Sequence, residues 1–348
     1  MNLKIMAFAS KFLEQAVQAI TWCDNVVIAE AARRNPWFIP RFVRYRLDTL
    51  KESLEKEKKI LLQLLDMPIR DNGPRILSII AAGNIPIVCW HDFVCALAYA
   101  AGHPQEVVLE IKLSSKDDVL LPAIVKRLEG MKDSCLSGVQ VRFVRQADPG
   151  TQAILFTGGS QAQMYYRQTF PLVPVLMRTG RTSVAILDDT ETEEQLGDLA
   201  RDCFLYFGLG CRNVTLLLVP QDYDLNPFVL KVDATLGTVL RNHENFKNAF
   251  RHARACHLML STQTAGYSFF PDLFLLKESD DLTPPPAVLH YVRYRNREDA
   301  ERFIAMHKNR IQCVAGPGHV PLGQTQSPLF TDYADGLNTL EWLQKLSY

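Results

Sequence analysis

Four short segments of this 348-residue chain carry side chains able to do chemistry. Phe207-Gly208-Leu209-Gly210-Cys211-Arg212 sets a thiol among glycines, beside a guanidinium. Small neighbours leave a cysteine accessible and a nearby cation favours the thiolate, the nucleophilic form. The alternative for Cys211 is the common one for cysteine, burial as a small hydrophobe. Ala82-Gly83-Asn84-Ile85-Pro86 puts Asn84 on a turn, where its amide NH2 either donates to a developing oxyanion or simply shapes the turn. Lys112 and Ser114 close the apolar run LEIKLSS; a lysine there reaches a ribose or phosphate, or is merely solvated. Thr157-Gly158-Gly159-Ser160 lets backbone approach an anionic ligand at a helix start, or is a plain tight turn.

Each segment falls between predicted elements. The first 70 residues read as helical, and residues 41–67 carry apolar positions at helical spacing with Lys and Glu opposite. From residue 75 the pattern alternates. Strands are expected at 76–80, 107–111, 139–144 and 153–156, with helices at 87–101, 117–131 and after Ser160. A second series has strands at 183–187, 214–219, 288–294 and 311–315, helices at 192–209, 226–240 and 297–308, and a closing helix at 331–346. Strand–helix alternation predicts parallel sheets covered on both faces, with binding turns at the strand ends.

Composition narrows the function classes. Lys plus Arg equals Asp plus Glu at 38 each, which gives no net basic field for nucleic acid. The longest apolar stretch, 76–90, is interrupted by Gly83, Asn84 and Pro86 and is too short for a membrane span. The amino-terminal residues show neither the uncharged core nor the cleavage site of a secretory signal. Eight cysteines without a CxxC pair suggest neither a disulfide framework nor a zinc site, and the expectation is a cytoplasmic protein without a metal.

Taken in order, the four segments resemble those of the aldehyde dehydrogenase superfamily: an Asn in a turn before Pro, a Lys on the next strand, an F-T-G-S turn, and a nucleophilic Cys preceded by Gly. Residues 156–160 look like that turn with one Gly inserted, and residues 175–187 (VLMRTGRTSVAIL) look like the segment that normally supplies a general-base Glu, a position held here by Met177. Methionine does not activate water, and hydrolysis of an acyl-enzyme needs activated water. The missing base points to the branch that reduces thioesters, and the chain resembles most the lux-type long-chain acyl-CoA reductases, with residues 323–328 and 332–336 similar to a shorter bacterial subgroup.

The resemblance implies an α/β, aldehyde-dehydrogenase-like fold with a Rossmann-type cofactor domain and an α/β catalytic domain. Residues 1–177 would form the first, with 320–348 packing back on it, and 178–319 the second. It implies Cys211 as nucleophile and Asn84 as oxyanion donor. It also implies Lys112, Ser114, Thr157, Gly158, Gly159 and Ser160 as NADP(H)-binding residues, with acyl-CoA as substrate. Arg178, Arg181 and Arg212 are available to neutralise phosphates, Glu278 is the weak counterpart of a ribose-binding Glu, and a homodimer is left open. The alternatives are a hydrolytic aldehyde dehydrogenase, an acyl-phosphate reductase, and a non-catalytic cofactor- or acyl-binding homologue.

Overall fold

A computed structural model describes residues 3–65, 72–178, 180–260, 267–269 and 273–346. It divides into two compact units, residues 1–180 with 329–348, and residues 181–328.

In the first unit, helices α1 (Leu3–Thr21), α2 (Asn25–Arg34), α3 (Pro40–Lys56) and α4 (Lys58–Leu65) precede the alternating part. Then come β1 (Ile76–Ile80), α5 (Trp90–Gly102), β2 (Val108–Lys112), α6 (Leu120–Glu129), β3 (Gln140–Phe143), β4 (Ala153–Thr157), α7 (Ser160–Thr169) and β5 (Val175–Arg178). Among the described residues the strands form a parallel sheet in the order β3-β2-β1-β4-β5. The reversal of winding at β1 and β4 makes their carboxyl ends the expected ligand edge. Apolar runs such as ILSII and AILFT are buried along both faces, as a helix-covered parallel sheet requires. Helix α5 is buried almost all round, packed on β1, β2 and α1.

In the second unit, β6 (Thr182–Ile186), α8 (Glu193–Phe204) and β7 (Val214–Pro220) lead to α9 (Asn226–Val232). A π turn joins α9 to α10 (Thr238–Asn242), followed by α11 (Glu244–Leu260), β8 (Tyr267–Phe269), β9 (Leu275–Glu278), β10 (Val288–Tyr294), α12 (Arg297–His307) and β11 (Ile311–Ala315). The sheet order is β11-β6-β7-β10-β9-β8, parallel except for the β8–β9 pair. The carboxyl-terminal helix α13 (Thr339–Lys345) belongs to the first unit.

Several elements differ from expectation, each for a local reason. The helix expected from residue 87 begins at Trp90, because Ile87 adopts a left-handed φ of 48°. The helix expected over 117–131 begins at Leu120, because the N–H of Asp117 turns back to the carbonyl of Ser114. The helix expected over 192–209 ends at Phe204, where Tyr206, Phe207 and Gly208 reverse hand. The helix expected over 331–346 is confined to Thr339–Lys345, because Asp335 and Gly336 both have positive φ and Asn338 caps the new start. Residues 329–348 belong to the first unit and residues 320–328 to the second. There the fully buried carboxylate of Asp202 accepts from Gly323 N–H at 2.6 Å, Thr325 N–H at 3.1 Å and Thr325 hydroxyl at 2.6 Å.

Candidate functional site

Cys211 lies on the loop between α8 and β7 and is exposed; Cys256, on helix α11, is the other exposed cysteine among the described residues. Burial pushes the thiols of Cys89, Cys95 and Cys203 well up and holds those of Cys23 and Cys135 near 11, so these five stay protonated at neutral pH. The loop owes its shape to a strained run. Tyr206 and Phe207 have φ of 54° and 58°, and Gly208 follows at 75°. Each left-handed non-glycine residue costs roughly 1–2 kcal/mol. Burial of the Phe207 ring, stacked on His243 at 3.9 Å and tilted against Phe246 at 5.7 Å, offsets that cost.

Asn213, a residue the sequence did not single out, clamps the loop from inside. It is fully buried. Its Oδ1 accepts from Gly210 N–H at 2.8 Å, and its Nδ2 donates to the carbonyls of Leu205 at 2.9 Å and Asp202 at 3.0 Å. From β6, the Ser183 hydroxyl donates to the Cys211 carbonyl at 3.0 Å and lies 3.1 Å from Cys313 Sγ. The backbone on both sides of Cys211 is therefore fixed while the residue itself is exposed. Burial raises the Cys313 thiol, against the opposing pull of Ser183 and Arg212.

Within the first unit the other candidate residues gather at the carboxyl edge of the sheet. Asn84 follows β1, Lys112 ends β2, and Thr157 ends β4. The Asn84 turn is stitched from three sides: Asn35 Nδ2 donates to Gly83 O at 3.2 Å, Arg46 Nε to Pro86 O at 3.3 Å, and Ile87 N–H to Asp117 Oδ2 at 2.7 Å. Isoleucine at positive φ is a rare conformation, since its branched Cβ crowds the backbone. A Cβ on Gly83 would stand 2.8 Å from both Cβ and Oγ of Ser114, so the turn and the Lys112–Ser114 segment touch only because residue 83 is glycine. Lys112 and Ser114 are half-buried. At the end of β4, a Cβ on Gly158 would strike the Phe156 ring at 2.8 Å, whereas Gly159 borders open space. Gly159 caps α7 without a side-chain hydrogen bond, and the first turn of α7 has no acidic residue.

Met177 sits on β5 opposite Phe156 and packs with Ile80, Tyr166 and Phe170; the position holds no carboxylate. Arg178 is not a phosphate ligand. It is buried, with Nη1 on both oxygens of Asp92 at 2.5 and 2.6 Å and Nη2 on Thr339 Oγ1 at 2.6 Å, tying β5 and α5 to α13. Removing one member of such a pair strands the other charge, at roughly 3–5 kcal/mol. His91 and His290 are structural, hydrogen-bonded to the carbonyls of Phe330 and Asp281. Glu278 is exposed at the end of β9.

No protein-family model and no curated protein matches this sequence. Solved structures do match in shape. Aldehyde dehydrogenase 21 from Physcomitrella patens, solved with the reaction product succinate, superimposes with a TM-score of 0.63 at 13% identity, over 89% of this chain and 73% of that one. A mutant of aldehyde dehydrogenase C from Pseudomonas syringae, solved with NAD+ and octanal, gives 0.62 at 13% identity over 90% and 72%. Methylmalonate-semialdehyde dehydrogenase from Oceanimonas doudoroffii gives 0.60 at 13% over 91% and 74%. The fold is therefore aldehyde-dehydrogenase-like, α/β with two largely parallel sheets.

Proposed function

We propose that this chain is an oxidoreductase of the aldehyde–acyl level, specifically a reductase that converts a long-chain acyl-CoA to the aldehyde with NADPH through an acyl-cysteine on Cys211. One observation carries the reading: Cys211 is an exposed thiol on a loop whose backbone is fixed on both sides. A fixed loop lowers the cost of aligning a nucleophile with its electrophile.

The Cys211 thiolate would attack the thioester carbonyl, forming a C–S bond. Collapse of the adduct breaks the bond to the CoA sulfur, which leaves as thiolate and takes a proton from solvent. Thioester exchange is nearly balanced, so the acyl group stays activated. A reduced nicotinamide, when bound, supplies the hydride that takes the acyl-cysteine to the aldehyde level, after which the C–S bond opens and Cys211 is regenerated. Negative charge grows on the same oxygen in both steps; the Cys211 backbone N–H is assigned to hold it, and Asn84 is the amide donor that the resemblance implies. Met177 fits the reductive outcome, since the position that would supply a base for water is apolar.

The residues present fit a nicotinamide dinucleotide. The α7 amino terminus offers uncapped N–H groups behind a glycine bordering open space, which suits a phosphate. Lys112 and Ser114 end β2 on the edge where dinucleotides bind in such sheets, and the lysine suits a 2′-phosphate. The neighbour solved with NAD+ supports a nicotinamide cofactor. The working compartment proposed is the cytoplasm; among the described residues no helix is long and apolar enough to cross a membrane.

The test is intact-mass analysis of the protein mixed with palmitoyl-CoA and no cofactor. A gain of one acyl group is expected in the wild type, lost in Cys211→Ala and kept in Cys203→Ala, Cys256→Ala and Cys313→Ala. Adding NADPH should then discharge the acyl group as aldehyde. A wild type that takes no acyl group, or one that turns aldehyde and NADP into free acid, overturns the proposal.

A further inference from the structure

The Asn84 turn is held in its rare conformation by an expensive acceptor. A serine or asparagine would serve to receive a single N–H. Here the acceptor is Asp117, only 6% exposed, and just one of its oxygens is used. Oδ1 has no hydrogen-bond partner among the described residues. Burying a carboxylate with one of its oxygens unsatisfied is costly to folding, and what it gains is a strong, charge-assisted bond to Ile87 N–H.

We infer that Asp117 is a positioning residue for Asn84: its carboxylate pins Ile87 while Arg46 pins Pro86 and Asn35 pins Gly83, so that residues 84–86 between them are presented in one geometry. The inference rests on the reading of Asn84 and Cys211 given above. Holding a donor to within a fraction of an ångström is what separates an effective oxyanion site from a loose one.

The clamp has a pH dependence built into it. Burial lifts the Asp117 carboxyl to about 7, opposed by the Ile87 N–H and by Arg46 from α3, and reinforced by Asp118 on its own loop. Asp118 is in turn paired with Arg34 of α2 at 3.6 Å. Cys89, whose thiol feels the Asp117 charge, is kept neutral chiefly by burial. Below neutrality Asp117 takes up a proton and the bond to Ile87 loses its charge, while the guanidinium of Arg46 stays ionised.

Two measurements on the full chain decide this. The first is the rate of Cys211 acylation by palmitoyl-CoA from pH 6 to pH 9, in wild type, Asn84→Ala, Asp117→Ala, Asp117→Asn and the double alanine variant. Asp117→Ala should slow acylation at pH 8 on the order of a hundredfold, as Asn84→Ala should. The double variant should be no slower than Asn84→Ala alone, because both changes remove one donor. Asp117→Asn keeps an acceptor oxygen, so it should recover to within about tenfold of wild type and lack the wild-type inflection near pH 7. Asp117→Ala acting within threefold of wild type, or multiplying with Asn84→Ala, overturns the inference.

The second measurement follows the Ile87 δ1-methyl resonance against pH. It should titrate with a midpoint near 7 in wild type and stay flat in Asp117→Asn. This readout needs no catalysis and no alanine variant that folds. If wild type takes no acyl group, the reading of Cys211 fails and the methyl still decides the clamp. A methyl that does not titrate overturns the clamp even in an active enzyme.

Discussion

The Asn84 turn and the Cys211 loop face one structural problem and answer it with different chemistry. Both need left-handed backbone at side-chain-bearing residues, Ile87 in one and Tyr206 with Phe207 in the other. At Cys211 the clamp is the neutral amide of Asn213, whose oxygen accepts once and whose nitrogen donates to two close carbonyls. At Asn84 the clamp is a carboxylate with one bond made and one oxygen idle. Asp202 shows what the idle oxygen means. It too is buried, but three donors use both its oxygens and oppose the upward push that burial gives its carboxyl. The number of donors offsets the burial. The thiol loop is thus set once, by folding, while the amide turn stays adjustable by a proton.

The sharpest break of this contrast is Asn213→Ala. It leaves Gly210 N–H and the carbonyls of Leu205 and Asp202 buried without their partner, which at about 1–3 kcal/mol per group gives a loss of roughly 3–9 kcal/mol. Thermal unfolding should move down by about 10 °C or more, equally at pH 6 and pH 8, because nothing in this clamp titrates. A shift that differs between the two pH values would show that the two clamps are not of different kinds.

Neither clamp was legible in the sequence, although what they hold was. The strands bearing Asn84, Lys112 and Thr157 announce themselves because a parallel strand buried on both faces is a continuous apolar run. Clamping residues carry no such period. Asn213 reads as one more turn-former beside Gly210, and Asp117 as a helix-opening acid, when its N–H in fact closes a turn onto Ser114. The hand reversal at residues 206–208 is hidden because LYF continues the apolar spacing of α8; the glycines at 208 and 210 were the available signal. Arg178 read as a cation available to phosphates because its partners, Asp92 and Thr339, lie 86 and 161 residues away. Helix α11 went unread although Phe246, Phe250 and Ala253, all buried, follow helical spacing.

A second, smaller effect sharpens the other half of the contrast. The folded-state pKa of Asp117, about 7, lies above the unfolded value of about 4. Between those values the unfolded chain is ionised while the folded chain keeps its proton, so raising the pH favours unfolding across that window. The full penalty is present above pH 7, at most about 4 kcal/mol. Asparagine does not ionise, though its buried NH2 takes back part of the gain. Asp117→Asn should therefore be more stable than wild type at pH 8 by about 1–3 kcal/mol in denaturant unfolding, with the gap narrowing toward pH 5. Parallel stability curves for the two proteins would remove the charge from the account of this turn.

The smallest effect tests whether strain is what the clamps resist. In the Cys211 loop two left-handed residues bury their rings, Tyr206 at 3% exposure and Phe207 at 1%, and that burial offsets the backbone cost. Gly208 completes the run at φ 75° with no side chain to bury. Gly208→Ala adds a third left-handed penalty without compensation, and brings a Cβ to 3.3 Å from the carbonyl of Cys203. The expected loss is about 1–2 kcal/mol, a fall of a few degrees in thermal unfolding that is independent of pH. Acylation of Cys211 should slow by a few-fold, because the displaced carbonyl belongs to the set that Asn213 gathers. If Gly208→Ala is as stable as wild type, the run costs little, and the tight grip of Asn213 must answer to the exposed thiol rather than to the backbone behind it.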